Sequence, residues 1–120
     1  MSPLGVTHVL EVRRGGVHSW SIEPADYGIT EVSVSDLAGG DPGENATVIE
    51  GVLRGQGSAG ARAAVLLNAA AAVYVSRDQG SYDDAVRETR AAMSAGVGVD
   101  ALERLRAASH APRTAPGTRQ

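Results

Sequence analysis

The sequence predicts an α/β fold in which a β-hairpin is followed by four helices. Two short β-branched segments come first, at residues 7–12 and 17–22, with a pair of glycines between them. From residue 41 onward, apolar residues recur at helical spacing, with capping residues before them and glycines after them. These observations place the sheet element at the start of the chain and the helices after it.

The hairpin prediction rests on the segments Thr7–Val12 and Val17–Ile22 and on the turn between them. The glycines of Arg13–Gly16 supply the positive φ angles that a tight hairpin turn needs. Glu23–Gly28 is interpreted as a turn that leaves the second strand, because its proline and glycine interrupt regular structure. A two-stranded hairpin is not stable alone in water, so it must join a larger sheet or pack on the helices.

The first helix has the most complete signal at its start. Asp41 suits the N-cap, Pro42 suits the first helical position, and Glu44 can reach back to the cap. Gly55 is expected to end this helix. The apolar residues that fall on one face are Ala46, Ile49, Val52 and Leu53.

The second helix is predicted from about Ala61 to Val75 and is apolar almost all round, so protein should surround it. The third opens at Ser81–Asp84 and should end at Gly96. Its expected buried stripe consists of Tyr82, Ala85, Val86, Thr89 and Met93.

A short fourth helix is predicted from Asp100 to about Ala108. Residues 111–120 are predicted to be a disordered tail, because Pro, Gly, Thr and Arg follow one another there without periodicity.

The composition excludes several classes of function. Cysteine is absent, which excludes disulfides and thiolate chemistry, and three scattered histidines argue against a zinc site. A net charge of −3 argues against a nucleic-acid partner. Without a signal peptide or a long apolar run, we expect a cytoplasmic chain. Only 3% of residues are aromatic, so we expect Ala, Val and Leu to build the core without a large aromatic centre.

Four segments resemble the anthranilate phosphoribosyltransferases of glycosyltransferase family 3. Leu37–Ala46 resembles the family's "L-x-G-G-D-P-x-E-N-A" segment, and Arg62–Val75 resembles "R-D-A-V-L-L-N-A-A-A-A-L-Y-V" with two departures. Pro24–Gly28 is similar to a "P-x-D-Y/F-G" turn, and Arg90–Leu105 loosely resembles a closing helical pattern. The resemblance covers about Ser2–Ala108.

The resemblance implies that residues 1–110 are the C-terminal segment of a mixed-sheet α/β domain. The family transfers phosphoribose from phosphoribosyl pyrophosphate to anthranilate in tryptophan biosynthesis, uses magnesium and is typically homodimeric. Its phosphate loop, its Asp-Glu pair for magnesium and its anthranilate contacts lie before the segments matched here. We therefore expect this chain to hold no catalytic, substrate-binding or metal-binding residues. It would supply scaffold, be inactive alone and need the upstream two-thirds of the enzyme as partner.

Two other functions remain open. The chain is alternatively a non-catalytic interaction module that keeps part of the fold and binds a partner through an exposed sheet edge. A nucleoside phosphorylase of related fold is a third possibility, and the Gly-Gly-Asp-Pro and Leu-Leu-Asn-Ala-Ala segments argue against it.

Two polar features could bind a ligand but are assigned structural roles. Gly39-Gly40-Asp41 precedes a helix, where backbone N–H groups can bind phosphate. Asp41 would itself cap those groups and repel an anion, so we predict a structural cap. Asn68 lies within an apolar helix, where a polar group must be hydrogen-bonded. We predict a bond to a neighbouring backbone rather than to a ligand.

Two sets of ionisable residues are also candidate sites. We interpret the first as a solvated acidic edge rather than a metal cluster; it comprises Glu23, Asp26 and Glu31. His8 and His18 are expected near opposite positions of the hairpin, close enough to approach one another. Two histidines without a third ligand make a poor zinc site, so we predict that both lie on the surface.

Overall fold

The computed structural model describes residues 1–77 and 79–110 and confirms the predicted fold, a two-stranded antiparallel hairpin followed by four helices. The predicted tail, 111–120, lies outside the described residues. The strands are β1 (Thr7–Arg13) and β2 (Gly16–Ile22), and the helices are α1 (Pro42–Leu53), α2 (Ala59–Val75), α3 (Tyr82–Ser94) and α4 (Val97–His110). Between β2 and α1 lie two short 3₁₀ turns, Pro24–Tyr27 and Val34–Leu37.

The hairpin closes through a two-residue turn. Arg14 and Gly15 have φ angles of 50° and 79°, so both central residues adopt positive φ, as a type I′ turn requires. The pairing runs from Arg13 opposite Gly16 to Thr7 opposite Ile22. Because side chains alternate along a strand, one face of the hairpin turns toward the helices and the other toward solvent.

Helices α1, α2 and α3 follow the predicted boundaries closely. Gly55 and Gly96, the predicted stops, have φ angles of 76° and 74°, which glycine adopts without strain. Helix α2 begins two residues earlier than predicted, because the Ser58 hydroxyl accepts a hydrogen bond from the Ala61 N–H at 3.1 Å and caps it there.

Helix α4 differs from its predicted bounds of Asp100 to Ala108. It begins at Val97, directly after the turn that ends α3, and continues to His110. The cause is tertiary packing, since Gly98 lies against Leu53 of α1 so closely that an added Cβ would come within 2.6 Å of Leu53 Cδ2. Arg106 of α4 also pairs with Glu50 of α1.

The core lies where α2, α3 and the inner face of the hairpin meet. Ile22 of β2 and Leu67 of α2 are its largest fully buried side chains. The predicted stripe of α3 is confirmed, with its first four residues buried and Met93 partly buried. The other buried members of the cluster are Leu66, Ala70, Tyr82, Ala85 and Val86.

The expectation of a core without an aromatic centre is wrong. The chain has one Trp, three Tyr and no Phe, and all four rings gather at one place. Trp20 lies 5.8 Å from Tyr74 and 5.5 Å from Tyr82 between ring centroids, and Tyr27 lies 5.7 Å from Tyr82. Ala70 and Ala71 of α2 belong to the same cluster as these rings.

Some apolar surface stays uncovered. On the outer face of the hairpin, Leu10, Val12 and Val17 are 73%, 76% and 67% exposed. Helix α2, which the sequence predicts to be surrounded, leaves Val65 and Val75 37% and 75% exposed. No helix of the described residues is long and apolar enough to cross a membrane.

Candidate functional site

The Gly-Gly-Asp loop forms the N-terminal cap of α1, as the sequence predicts. Asp41 Oδ1 accepts hydrogen bonds from the N–H groups of Gly43 and Glu44 at 2.8 and 2.9 Å. Glu44 Oε2 in turn accepts a bond from the Asp41 N–H at 2.9 Å. This reciprocal pair is a capping box, which satisfies donors that a helix start otherwise leaves free.

Gly40, the residue before the cap, is held in place by the side chain of Asn45. Its Oδ1 accepts from the Gly40 N–H and its Nδ2 donates to the Gly40 carbonyl, both at 2.9 Å. A Cβ added at Gly40 would lie 1.9 Å from Glu44 Oε2, so the capping box requires glycine there. The N–H groups of Gly40, Asp41, Gly43 and Glu44, which a phosphate could otherwise use, are therefore already bonded within the protein.

The structural assignment of this loop predicts the effect of Asp41→Ala. The substitution should lower the free energy of unfolding by about 0.5–2 kcal/mol, the usual cost of losing an N-cap. Urea unfolding followed by the fluorescence of Trp20 measures it. Asp41→Asn is the matched control, because asparagine caps helices equally well without the charge. Unchanged stability in Asp41→Ala, together with weaker binding of inorganic phosphate, would contradict the cap.

Asn68 is hydrogen-bonded to backbone, which confirms the predicted type of partner. Its Nδ2 donates to the carbonyls of Ala64 and Met1, both at 2.8 Å. Its Oδ1 accepts from the backbone nitrogen of Met1 at 2.5 Å. The amide thereby holds residue 1 against the exposed side of α2, and its hydrogen-bonding groups are used within the protein.

The two histidines do not approach one another, so that expectation is wrong. His8 pairs with Ser21 and His18 pairs with Glu11, which places the two imidazoles on opposite faces of the hairpin. His8 Nδ1 lies 3.0 Å from Ser21 Oγ. Both residues are exposed, as predicted.

The acidic edge is solvated, as predicted. Each of its three residues is exposed, namely Glu23, Asp26 and Glu31. Across residues 1–77 and 79–110, no three His, Asp or Glu side chains are grouped so that they could hold a metal ion.

Sequence reasoning missed a half-buried carboxylate under the hairpin. Glu11 Oε2 accepts hydrogen bonds from the Tyr74 hydroxyl at 2.8 Å and from Trp20 Nε1 at 3.2 Å. Arg13 Nε lies 2.8 Å from the other oxygen, and its guanidinium stands 5.4 Å from the centre of the Tyr74 ring. The hydrogen bond from Tyr74 and the charge of Arg13 lower the pKa of Glu11, although burial opposes them.

This network surrounds a cavity of about 510 Å³ between the hairpin and the C-terminal half of α2. The bond to Glu11 raises the pKa of Tyr74, and burial raises the pKa of Tyr82 to about 12. Both hydroxyls therefore stay protonated at neutral pH and act as donors. The Tyr82 hydroxyl donates to the Leu67 carbonyl at 2.8 Å.

The Glu11 network fastens the hairpin to α2 through the bond between Glu11 and Tyr74. In the sequence, only the position of Glu11 indicates that this network exists. This residue falls on the same alternating face as Val9, where a charged side chain needs a partner once the strand packs on helices.

Comparison with known proteins gives a consistent set of matches. A family model described as "Glycosyl transferase family, a/b domain" matches residues 1–99. The anthranilate phosphoribosyltransferase of Methanocorpusculum labreanum is 37% identical over 101 residues, which cover 84% of this chain and 29% of that protein. The enzyme of that name from Anaeromyxobacter dehalogenans strain 2CP-C is 38% identical over 108 residues, 90% of this chain and 32% of that protein. The chain thus spans about three tenths of the length of the curated relatives it matches.

Proposed function

Because the chain belongs to the glycosyl transferase family defined by this a/b domain, we propose that it forms the C-terminal scaffold of an anthranilate phosphoribosyltransferase. The complete enzyme would transfer phosphoribose from phosphoribosyl pyrophosphate to anthranilate, a step of tryptophan biosynthesis. Identities of 37% and 38% to proteins of that name, over most of this chain, support the proposal.

A scaffold role is supported by what the family-like motifs do here. The single observation that carries it is the cap of α1, where Asp41, Glu44 and Asn45 bond the backbone donors around the two glycines. The second long motif places Leu67 in the core and Asn68 on the backbone of Met1. Both motifs therefore stabilise the fold through contacts within the chain.

The proposal assigns the chemistry to the rest of the enzyme. Phosphoribosyl pyrophosphate, anthranilate and magnesium would be bound by the upstream two-thirds, which would also be the principal partner of this chain. A homodimeric and cytoplasmic enzyme, as the resemblance and the sequence lead us to expect, completes the proposal.

Anthranilate fluorescence tests the proposal directly, because phosphoribosylation removes the fluorescent substrate. The 120-residue chain with phosphoribosyl pyrophosphate and magnesium should show no loss of fluorescence above background. Adding the upstream two-thirds of the A. dehalogenans enzyme should produce magnesium-dependent turnover, with that fragment alone as the control. Turnover by the pure chain would overturn the scaffold role, and no turnover in the mixture would argue against a phosphoribosyltransferase.

A non-catalytic interaction module is the second candidate, and one observation favours it. The outer face of the hairpin presents Leu10, Val12 and Val17 to solvent, each more than 60% exposed. Uncovered apolar patches mark sites where proteins bind one another. Turnover in the mixture with the upstream fragment separates the two candidates, since a module without an enzymatic role would not restore it.

A further inference from the structure

A second cleft lies on the side of the molecule away from the Glu11 network. It has a volume of about 540 Å³ and runs between residues 28–32, the first half of α2 and the end of α3. Volumes of this size accommodate small organic ligands. Arg62 of α2 and Arg90 of α3 both line this cleft, and Arg90 also borders a smaller cavity beside Asp26 and Asp83.

Both guanidinium groups are held in place by backbone carbonyls. Arg62 Nη1 donates to the Gly55 carbonyl at 3.3 Å, and Arg90 Nη2 donates to the Tyr27 carbonyl at 2.7 Å. A guanidinium has five N–H donors, so each arginine keeps others for a ligand. Fixing the group beforehand lowers the entropy that binding would otherwise cost.

Neither arginine has a counterion within the part of the chain that the structure describes. Four other arginines do form ion pairs with carboxylates, namely Arg13, Arg77, Arg87 and Arg106. The two guanidinium groups lie at one cleft and form no ion pair with an acidic side chain of the described residues. Such a pair of guanidinium groups attracts an anion more strongly than isolated surface charges do.

The rest of the lining selects the kind of anion. Glu31 is the one acidic residue there, so the formal charge of the cleft is +1, and a monoanion neutralises it. Ile29, Leu66 and Met93 provide aliphatic walls, and no aromatic ring lines the cleft. A planar carboxylate matches the fork of N–H groups on a guanidinium, and a hydrocarbon body would be buried against these side chains.

We infer that the cleft between α2 and α3 binds a small aliphatic monocarboxylate. Arg62 and Arg90 bind its carboxylate, and the walls around Leu66 and Met93 receive its hydrocarbon chain. This binding site is separate from the proposed phosphoribosyl transfer and does not depend on it.

Saturation-transfer NMR with hexanoate as the probe tests the inference on the full 120-residue chain. Transfer to the hexanoate methyl protons should saturate with concentration, whereas hexylamine, of equal length and opposite charge, should give none. Arg62→Gln and Arg90→Gln should each weaken hexanoate binding at least about tenfold, the loss expected for one charge-assisted contact. Arg104→Gln, which removes the same charge from the exposed side of α4, should leave it unchanged.

Far-UV circular dichroism establishes that each variant keeps its helices. Arg62→Lys and Arg90→Lys serve where a glutamine variant unfolds, because lysine keeps the charge without the planar fork and should weaken hexanoate binding several-fold. The inference is overturned if hexanoate shows no saturable transfer, if hexylamine gives equal transfer, or if the folded Arg62 and Arg90 variants bind as the parent chain does.

Discussion

Leu67→Ala should remove most of the stability of the chain. Leu67 is fully buried at the point where α2 faces both α3 and the hairpin, with Ile22 and Tyr82 in the same cluster. Truncating a buried leucine to alanine costs about 2–5 kcal/mol, because the cavity left behind closes only in part. A domain has about 5–15 kcal/mol in total, so a large fraction of the molecules should unfold.

Urea unfolding at low micromolar concentration measures this loss. Trp20 is the only tryptophan of the chain and lies in the aromatic centre that rests on α2, so its fluorescence reports on the affected region. Leu105→Ala is the matched control, since that leucine is helical as well but 65% exposed. It should change the unfolding midpoint little. A similar midpoint shift in the two variants would show that the described core does not determine stability.

The sequence predicts the local elements well because their causes are local. The capping box of Asp41 and Glu44 spans four residues, and the Arg14-Gly15 turn is set by its own φ angles. The start of α4 depends instead on Gly98 packing against Leu53, a contact between residues far apart in the chain. Periodicity within α4 carries no information about that contact.

The candidate sites were predicted less well for the same reason. For Asn68 the type of partner followed from its position within an apolar helix, but the bond to Met1 depends on how the start of the chain lies against α2. The two histidines are an exception, because the predicted strands already place Val12 opposite Val17, and that register sets His8 opposite Ser21 rather than His18. The cleft of Arg62 and Arg90 exists only once α2 and α3 pack together, so no spacing in the sequence indicates it.

The second prediction concerns the association state of the chain, which depends on the exposed outer face of the hairpin. The three apolar side chains of its outer face are 67–76% exposed, and within the described residues each strand has only one partner strand. Unpaired edges and apolar faces of this kind promote association with other chains. Each exposed Val or Leu forgoes about 1.5–3 kcal/mol of burial, so three together are comparable with the stability of a small domain.

We therefore expect the isolated 120-residue chain to self-associate and to bind a hydrophobic dye. Coexpression with the upstream two-thirds of the A. dehalogenans relative should give a soluble complex that unfolds in one sharp transition and binds little dye. Light scattering after size-exclusion chromatography measures the association state, and dye fluorescence measures the exposed apolar surface.

Substitutions on the outer face locate the cause, because they alter the patch without touching the core. The triple variant Leu10→Thr, Val12→Thr and Val17→Thr places β-branched threonine, which suits strands, at all three positions and reduces the apolar surface. It should be less associated and bind less dye than the parent chain, and it should form the complex less well. Ser19→Thr and Ser21→Thr, at exposed positions of the same hairpin, provide the control and should change neither property.

A parent chain that is monomeric, binds no dye and unfolds sharply would show that hairpin and helices complete their own core. That outcome would favour the stand-alone module over the scaffold of a larger enzyme.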